Sequence, residues 1–116
     1  MYTQVWDNLY LDVTDATANA LDHSQPVKLD RAANLTLEVS CQGITASSTG
    51  TFLIETSNDL QTWVKTGTTA TVTSTGTRST SSTTAAVSAN YIRVRGTITG
   101  TGAKGLFSVG VAAIYT

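Results

Sequence analysis

Apolar and polar residues alternate with period two along most of this chain, the signature of strands that bury one face. Asn34 to Gly43 shows it most cleanly, with Leu35, Leu37, Val39 and Cys41 on one side and Thr36, Glu38, Ser40 and Gln42 on the other. Phe52, Ile54 and Thr56 form a second such run, ended by Ser57-Asn58-Asp59, whose short polar side chains turn a backbone by local hydrogen bonds. Gln61 to Lys65 reads as a short strand carrying Trp63 back to the core. Asn90 to Thr99 resumes the alternation, with Ile92, Val94 and Ile98 on one face and Tyr91, Arg93, Arg95 and Thr97 on the other.

Two stretches are apolar on both faces. Gln4 to Val13 carries Val5, Leu9, Leu11 and Val13 on one parity and Trp6 and Tyr10 on the other. Leu106 to Tyr115 carries Phe107, Val109, Val111, Ala113 and Tyr115 on one and Leu106, Gly110, Ala112 and Ile114 on the other. Strands of this kind belong inside a sheet packing or at a subunit contact. For residues 1–13 the terminal position adds a further reading, an arm that contacts a neighbouring subunit.

The remaining segments are less patterned. Thr14 to Ser24 reads as a loop or single helical turn, and Val27 to Leu29, after the one proline, as a short edge strand. Ala46 to Gly50 joins its two flanking strands as a hairpin with a longer connection. Thr66 to Thr84 is almost wholly Thr, Ser and Gly; Thr favours strands, and Gly76 lies where a hairpin tip would fall. Short strands, regular turn signals and no long helix predict an all-β fold, an antiparallel β-sandwich or jelly roll of about eight strands, formed by residues 1–116 as a single domain.

Composition narrows the partners. Apolar residues make up 41% of the 116 residues and charged ones 13%, about half the usual share, with Thr and Ser filling the gap. A surface so poor in charge is expected to be partly covered. The net charge of −1 leaves no basic footprint for nucleic acid or an anionic membrane, and neither is expected as a partner. The amino terminus lacks the basic and apolar regions of a secretory signal, so a chain made in the cytosol and used whole is expected.

Catalysis is not expected. No Gly-x-Ser-x-Gly elbow is present, and the single histidine, His23, falls in a polar stretch as a solvated loop residue without a second metal ligand beside it. Cys41, the only cysteine, is in phase with the core leucines and reads as a buried thiol. Asp7, Asp12, Asp15, Asp22 and Asp30 do not follow the spacing of a calcium loop and read as surface and turn residues. No cofactor and no metal is expected. Asn58 and Asp59 are turn formers and Trp63 a core residue. Arg93 and Arg95 share a strand face: either a solvated face or a planar donor pair that engages carboxylates of a neighbouring subunit. Trp6 and Tyr10 are candidate docking aromatics, and Tyr115 belongs with them as an interface candidate on the last strand.

The run Phe52 to Asp59, then Trp63, then Tyr91-Ile92-Arg93-Val94-Arg95 resembles the paired signature of discoidin-type, galactose-binding-like sandwiches. With the Ala20-Leu21-Asp22 segment and the strand at Leu35 to Val39 before it, the pattern also resembles small tailed-phage structural proteins. The chain departs from the discoidin pattern at Leu60-Gln61, where a Gly turn is common, and has no cysteine pair. These resemblances imply a non-catalytic virion component, a decoration, cement or minor capsid or tail protein of a bacteriophage. Its expected partners are further copies of itself and a major capsid or tail protein, and its expected place is the virion, assembled in the host cytoplasm. The alternative is a carbohydrate-binding module, in which loops at one end of the sandwich hold a sugar.

Overall fold

In the computed structural model residues 2–13, 19–29, 31–83, 86–100 and 102–115 are described, and they build two antiparallel sheets packed face to face. Nine strands are described: β1 (Tyr2–Asp12), β2 (Asn19–His23), β3 (Val27–Lys28), β4 (Ala33–Ile44), β5 (Thr49–Ser57), β6 (Val64–Val72), β7 (Arg78–Ser82), β8 (Tyr91–Thr99) and β9 (Lys104–Tyr115). The four-stranded sheet has the order β1-β9-β4-β7, and the other has β2-β8-β5-β6 with β3 also on β8. The first strand lies beside the last in one sheet and the second beside the next-to-last in the other. The chain therefore winds inward from both ends, which is the order of a two-sheet jelly roll.

The core lies where the inner faces meet. Leu35, Leu37, Val39 and Cys41 of β4 and Phe107, Val109, Val111 and Ala113 of β9 face Phe52 and Ile54 of β5 and Ile92, Val94 and Ile98 of β8, all buried. The period-two pattern of these four strands is thus the core itself, because successive side chains point to opposite faces.

Several local expectations are corrected. The strands flanking Ala46 to Gly50 are not a hairpin: β4 lies in one sheet and β5 in the other. The Thr-rich segment likewise crosses from β6 to β7 instead of closing a hairpin; its residue Thr84 lies outside the described residues. The turn signals were real, with Ser47 and Gly76 both at positive φ, but a sandwich uses such turns to change sheets as readily as to reverse within one. Of the stretch expected as a loop or helical turn, Asn19–His23 is a strand on β8, and residues 14–18 lie outside the described residues. Its alternation is weak because β2 is an edge strand whose Leu21 is exposed.

The amino-terminal stretch is part of the sheet. β1 pairs with β9 from Tyr2↔Ala112 to Asp12↔Lys104, and Leu9, Leu11 and Val13 are buried in the core. Register shifts between Gln4 and Trp6 and again between Trp6 and Leu9 break its alternation, and both Val5 and Trp6 pack against the core.

Candidate functional site

Strand alternation brings the few charges of β5 and β8 onto the outer face of the β2-β8-β5-β6 sheet. Glu55 stands opposite Arg93 on one side and Lys65 on the other, while Arg95 stands opposite His23 of β2. The Nε of Arg93 donates to Oε1 of Glu55 at 2.8 Å, Nη1 of Arg95 lies 3.8 Å from Oε2, and Nε2 of His23 lies 3.7 Å from Oε1. Glu55 is buried, so the guanidinium contacts do the work water would otherwise do for its charge. The guanidinium of Arg93 also lies over the Trp63 ring, 4.2 Å from its centroid, a cation–π arrangement.

Three expectations change on this face. The carboxylate engaged by Arg93 and Arg95 is Glu55 of the same chain. Trp63 is half-buried outside the hydrophobic core, and it precedes β6 instead of riding within a strand. His23 belongs to a strand and faces a carboxylate. The residue that organises the cluster, Glu55, was missed; its signal was a lone acid in the middle of an otherwise apolar and Thr-rich strand.

The loop from Ser57 to Trp63 joins β5 to β6. Ser57 Oγ accepts from the backbone N–H groups of Asp59 and Leu60 at 3.2 and 2.9 Å, and Asp59 Oδ1 accepts from those of Gln61 and Thr62 at 2.9 and 2.8 Å. Asn58 Oδ1 accepts the N–H of Asn90 at 3.0 Å, tying the loop to the start of β8. Leu60 takes the left-handed conformation, φ 64°, at the point where a glycine is the easier residue. Two clefts open at this end of the sandwich. One of about 240 Å³ is lined by Ser57, Asn58, Asp59 and Thr62 among others, and one of about 450 Å³ by Thr56, Thr66, Thr83 and Ser88 among others.

The backbone bonds from Thr62 and Gln61, with that from the Ser57 hydroxyl, hold the Asp59 carboxyl below the usual carboxylate range. Its folded value is depressed, so its contribution to stability is complete above the ordinary carboxylate range and is lost as pH falls through the folded value. Asp59→Asn is therefore expected to remove part of the stability lost over the acid interval below the ordinary carboxylate range. Thermal melts across that interval check this, and an unchanged acid limb counts against it.

The outer face of the four-stranded sheet is different in kind. Tyr10 of β1 pairs with Leu106 of β9, which pairs with Gly43 of β4; with Ile44, Thr45 and Lys104 they line a shallow cleft of about 370 Å³. Tyr10 is 57% exposed, and its hydroxyl donates to Asp12 at 3.2 Å. Farther along β9 come Ser108, Gly110 and Ala112, flanked by Thr36 and Ser40, and then Ile114, 69% exposed. Glu38 and Arg78 form an ion pair across this face. Tyr115 is half-buried, packed against the core on one side, with the Arg31 guanidinium 5.1 Å from its ring centroid. Trp6 is partly buried, which leaves Tyr10 as the exposed member of the amino-terminal aromatic pair. Cys41 is buried, and burial pushes its thiol up. Among the described residues no three of His, Cys, Asp or Glu come together as a metal set.

No protein-family model matches the sequence, and no curated protein matches it. The fold does resemble solved structures. A chain of infectious bursal disease virus, Gx strain, superposes with a TM-score of 0.64 at 9% identity, covering 99% of this chain and 32% of that one. A chain of broad bean stain virus gives 0.51 at 8% identity over 98% of this chain and 86% of that one. TmCBM61, solved with β-1,4-galactotriose, gives 0.52 at 13% identity over 92% and 69%. The chain thus spans about a third of the bursal disease virus chain it matches. Identities this low establish the sandwich fold alone, shared by virus chains and sugar-binding modules.

Proposed function

We propose that this chain is a non-catalytic structural component of a bacteriophage particle, a decoration, cement or minor capsid or tail protein that acts by multivalent docking. The observation that carries the reading is the outer face of the four-stranded sheet. Along β9 its side chains are short, Ser108, Gly110 and Ala112, with Thr36 and Ser40 beside them, and the Glu38–Arg78 ion pair crosses the face at Gly110. Exposed Tyr10, opposite Leu106, and exposed Ile114 mark its ends, about 27 Å apart at the rise of an extended strand. An apolar residue at each end, with a self-neutralising ion pair between them, suits a protein partner, the aromatic and aliphatic anchors supplying the affinity. The likeness to virus chains supports this reading as an analogy of fold. Further copies of the chain and a major capsid or tail protein are its partners, and the virion, assembled in the host cytoplasm, is its place.

The test is native mass by light scattering across a concentration series. A trimer, pentamer or larger closed assembly supports the reading. In such an assembly, Tyr10→Asp with Ile114→Asp is expected to weaken association at least tenfold while leaving circular dichroism unchanged, because both side chains are exposed. A strict monomer at every concentration overturns it, and glycan binding by that monomer would favour the carbohydrate-binding module.

A further inference from the structure

The charged cluster on the opposite sheet face has more donors than its one carboxylate can use. Lys65, Arg93 and Arg95 stand around Glu55, three cations to one anion, in a chain whose net charge is −1. Arg93 spends only its Nε on Glu55, and its stacking on Trp63 fixes the plane of the guanidinium. Arg95 is held more loosely: its nearest approach to Glu55 is 3.8 Å, its side chain is 38% exposed, and its Nε is buried with no hydrogen-bond partner among the described residues. The buried Nε is closed to a partner, so what Arg95 offers is the exposed end of its guanidinium, whose two Nη groups form a fork that fits a carboxylate.

We propose that this face, centred on Arg95 with Arg93 and Lys65 beside it, is a docking surface for an acidic segment of another protein chain, whose carboxylates Arg95 receives in bidentate fashion. The shape of the surface favours a protein over an acidic sugar. The neighbouring positions, Thr97 opposite Thr51 and Thr51 opposite Thr71, make a flat threonine row, and none of the three clefts described is lined by Glu55, Lys65, Arg93 or Arg95. One face of the half-buried Trp63 ring is covered by Arg93 and so closed to a stacking pyranose. Glu55 holds Arg93 in place before any partner arrives, so little side-chain freedom is lost on binding there. This surface is separate from the face that carries the assembly reading, and a monomer that binds here would end that reading and leave this one standing.

The full chain is titrated with a hexaglutamate peptide at low salt, and the arginine Nε–H signals are followed by NMR. Saturable shifts at Arg93 and Arg95 are expected, reduced by added salt. Arg95→Ala is expected to weaken binding at least tenfold. Arg95→Lys, which keeps the charge, is expected to weaken it severalfold because an ammonium makes no fork. Should the Arg95 variants fail to fold, Lys65→Glu, at an exposed position, carries the same expectation of severalfold loss. Equal binding of hexaglutamine, equal loss on Arg78→Ala on the other sheet, or binding of trigalacturonate in place of the peptide would each overturn the proposal.

Discussion

A chain lacking residues 1–12 is expected to lose cooperative folding, not merely to release a neighbour. Leu9 and Leu11 are 5% and 4% exposed, and each contributes about 1.5–3 kcal/mol by burial. Together they supply about 3–6 kcal/mol, against a typical total stability of about 5–15 kcal/mol. The deletion also strips β9 of its whole β1 ladder, from Ala112 to Lys104, and turns a central strand into a long edge with exposed backbone groups. Loss of the thermal transition together with aggregation is the expected readout. A truncated chain that melts normally and fails only to associate would restore the arm reading of residues 1–13. The two outcomes separate a strand that belongs to its own core from one lent to a neighbour.

Phe107→Ala is expected to cost about 3–5 kcal/mol, measured by denaturant unfolding. Phe107 and Phe52 are fully buried and meet edge to face, ring centroids 4.9 Å apart, across the two sheets. Space for them comes from two glycines within strands. A Cβ on Gly96 would come within 2.6 Å of the Phe52 ring, and one on Gly105 within 2.5 Å of the Phe107 ring. Gly105→Val alone is accordingly expected to destabilise by about 1–3 kcal/mol through overpacking. In the Phe107→Ala background its cost should shrink, because the ring it strikes is gone. A double-mutant cycle reads that coupling directly, and strict additivity would mean that the glycine is not there to seat the ring. Both variants leave the outer faces untouched, so any change in docking must come through the fold.

The two aromatic signals of the sequence fared differently for a physical reason. Phe52 and Phe107 sit inside strands, in phase with Ile54 and with Val109 and Val111, and each falls on the core face, as period two requires. Trp63 follows a turn, where no periodicity fixes its direction, and it ends on the outer sheet face beneath a guanidinium. Trp6 lies between two register shifts, so its parity with Tyr10 did not place it on the same surface as Tyr10.

What the sequence determined by itself was the all-β class, the four strands that make the core, and the Ser57-Asn58-Asp59 turn, because each depends on spacing between near neighbours along the chain. The tertiary structure alone decided which strands share a sheet, since a turn signal is the same whether the chain reverses or crosses. It also decided that the carboxylate facing Arg93 and Arg95 is Glu55, 38 positions before Arg93, and that β1 completes the sheet beside β9. Those pairings are set by the closing of two sheets on one core, a constraint on distant residues that no local pattern records.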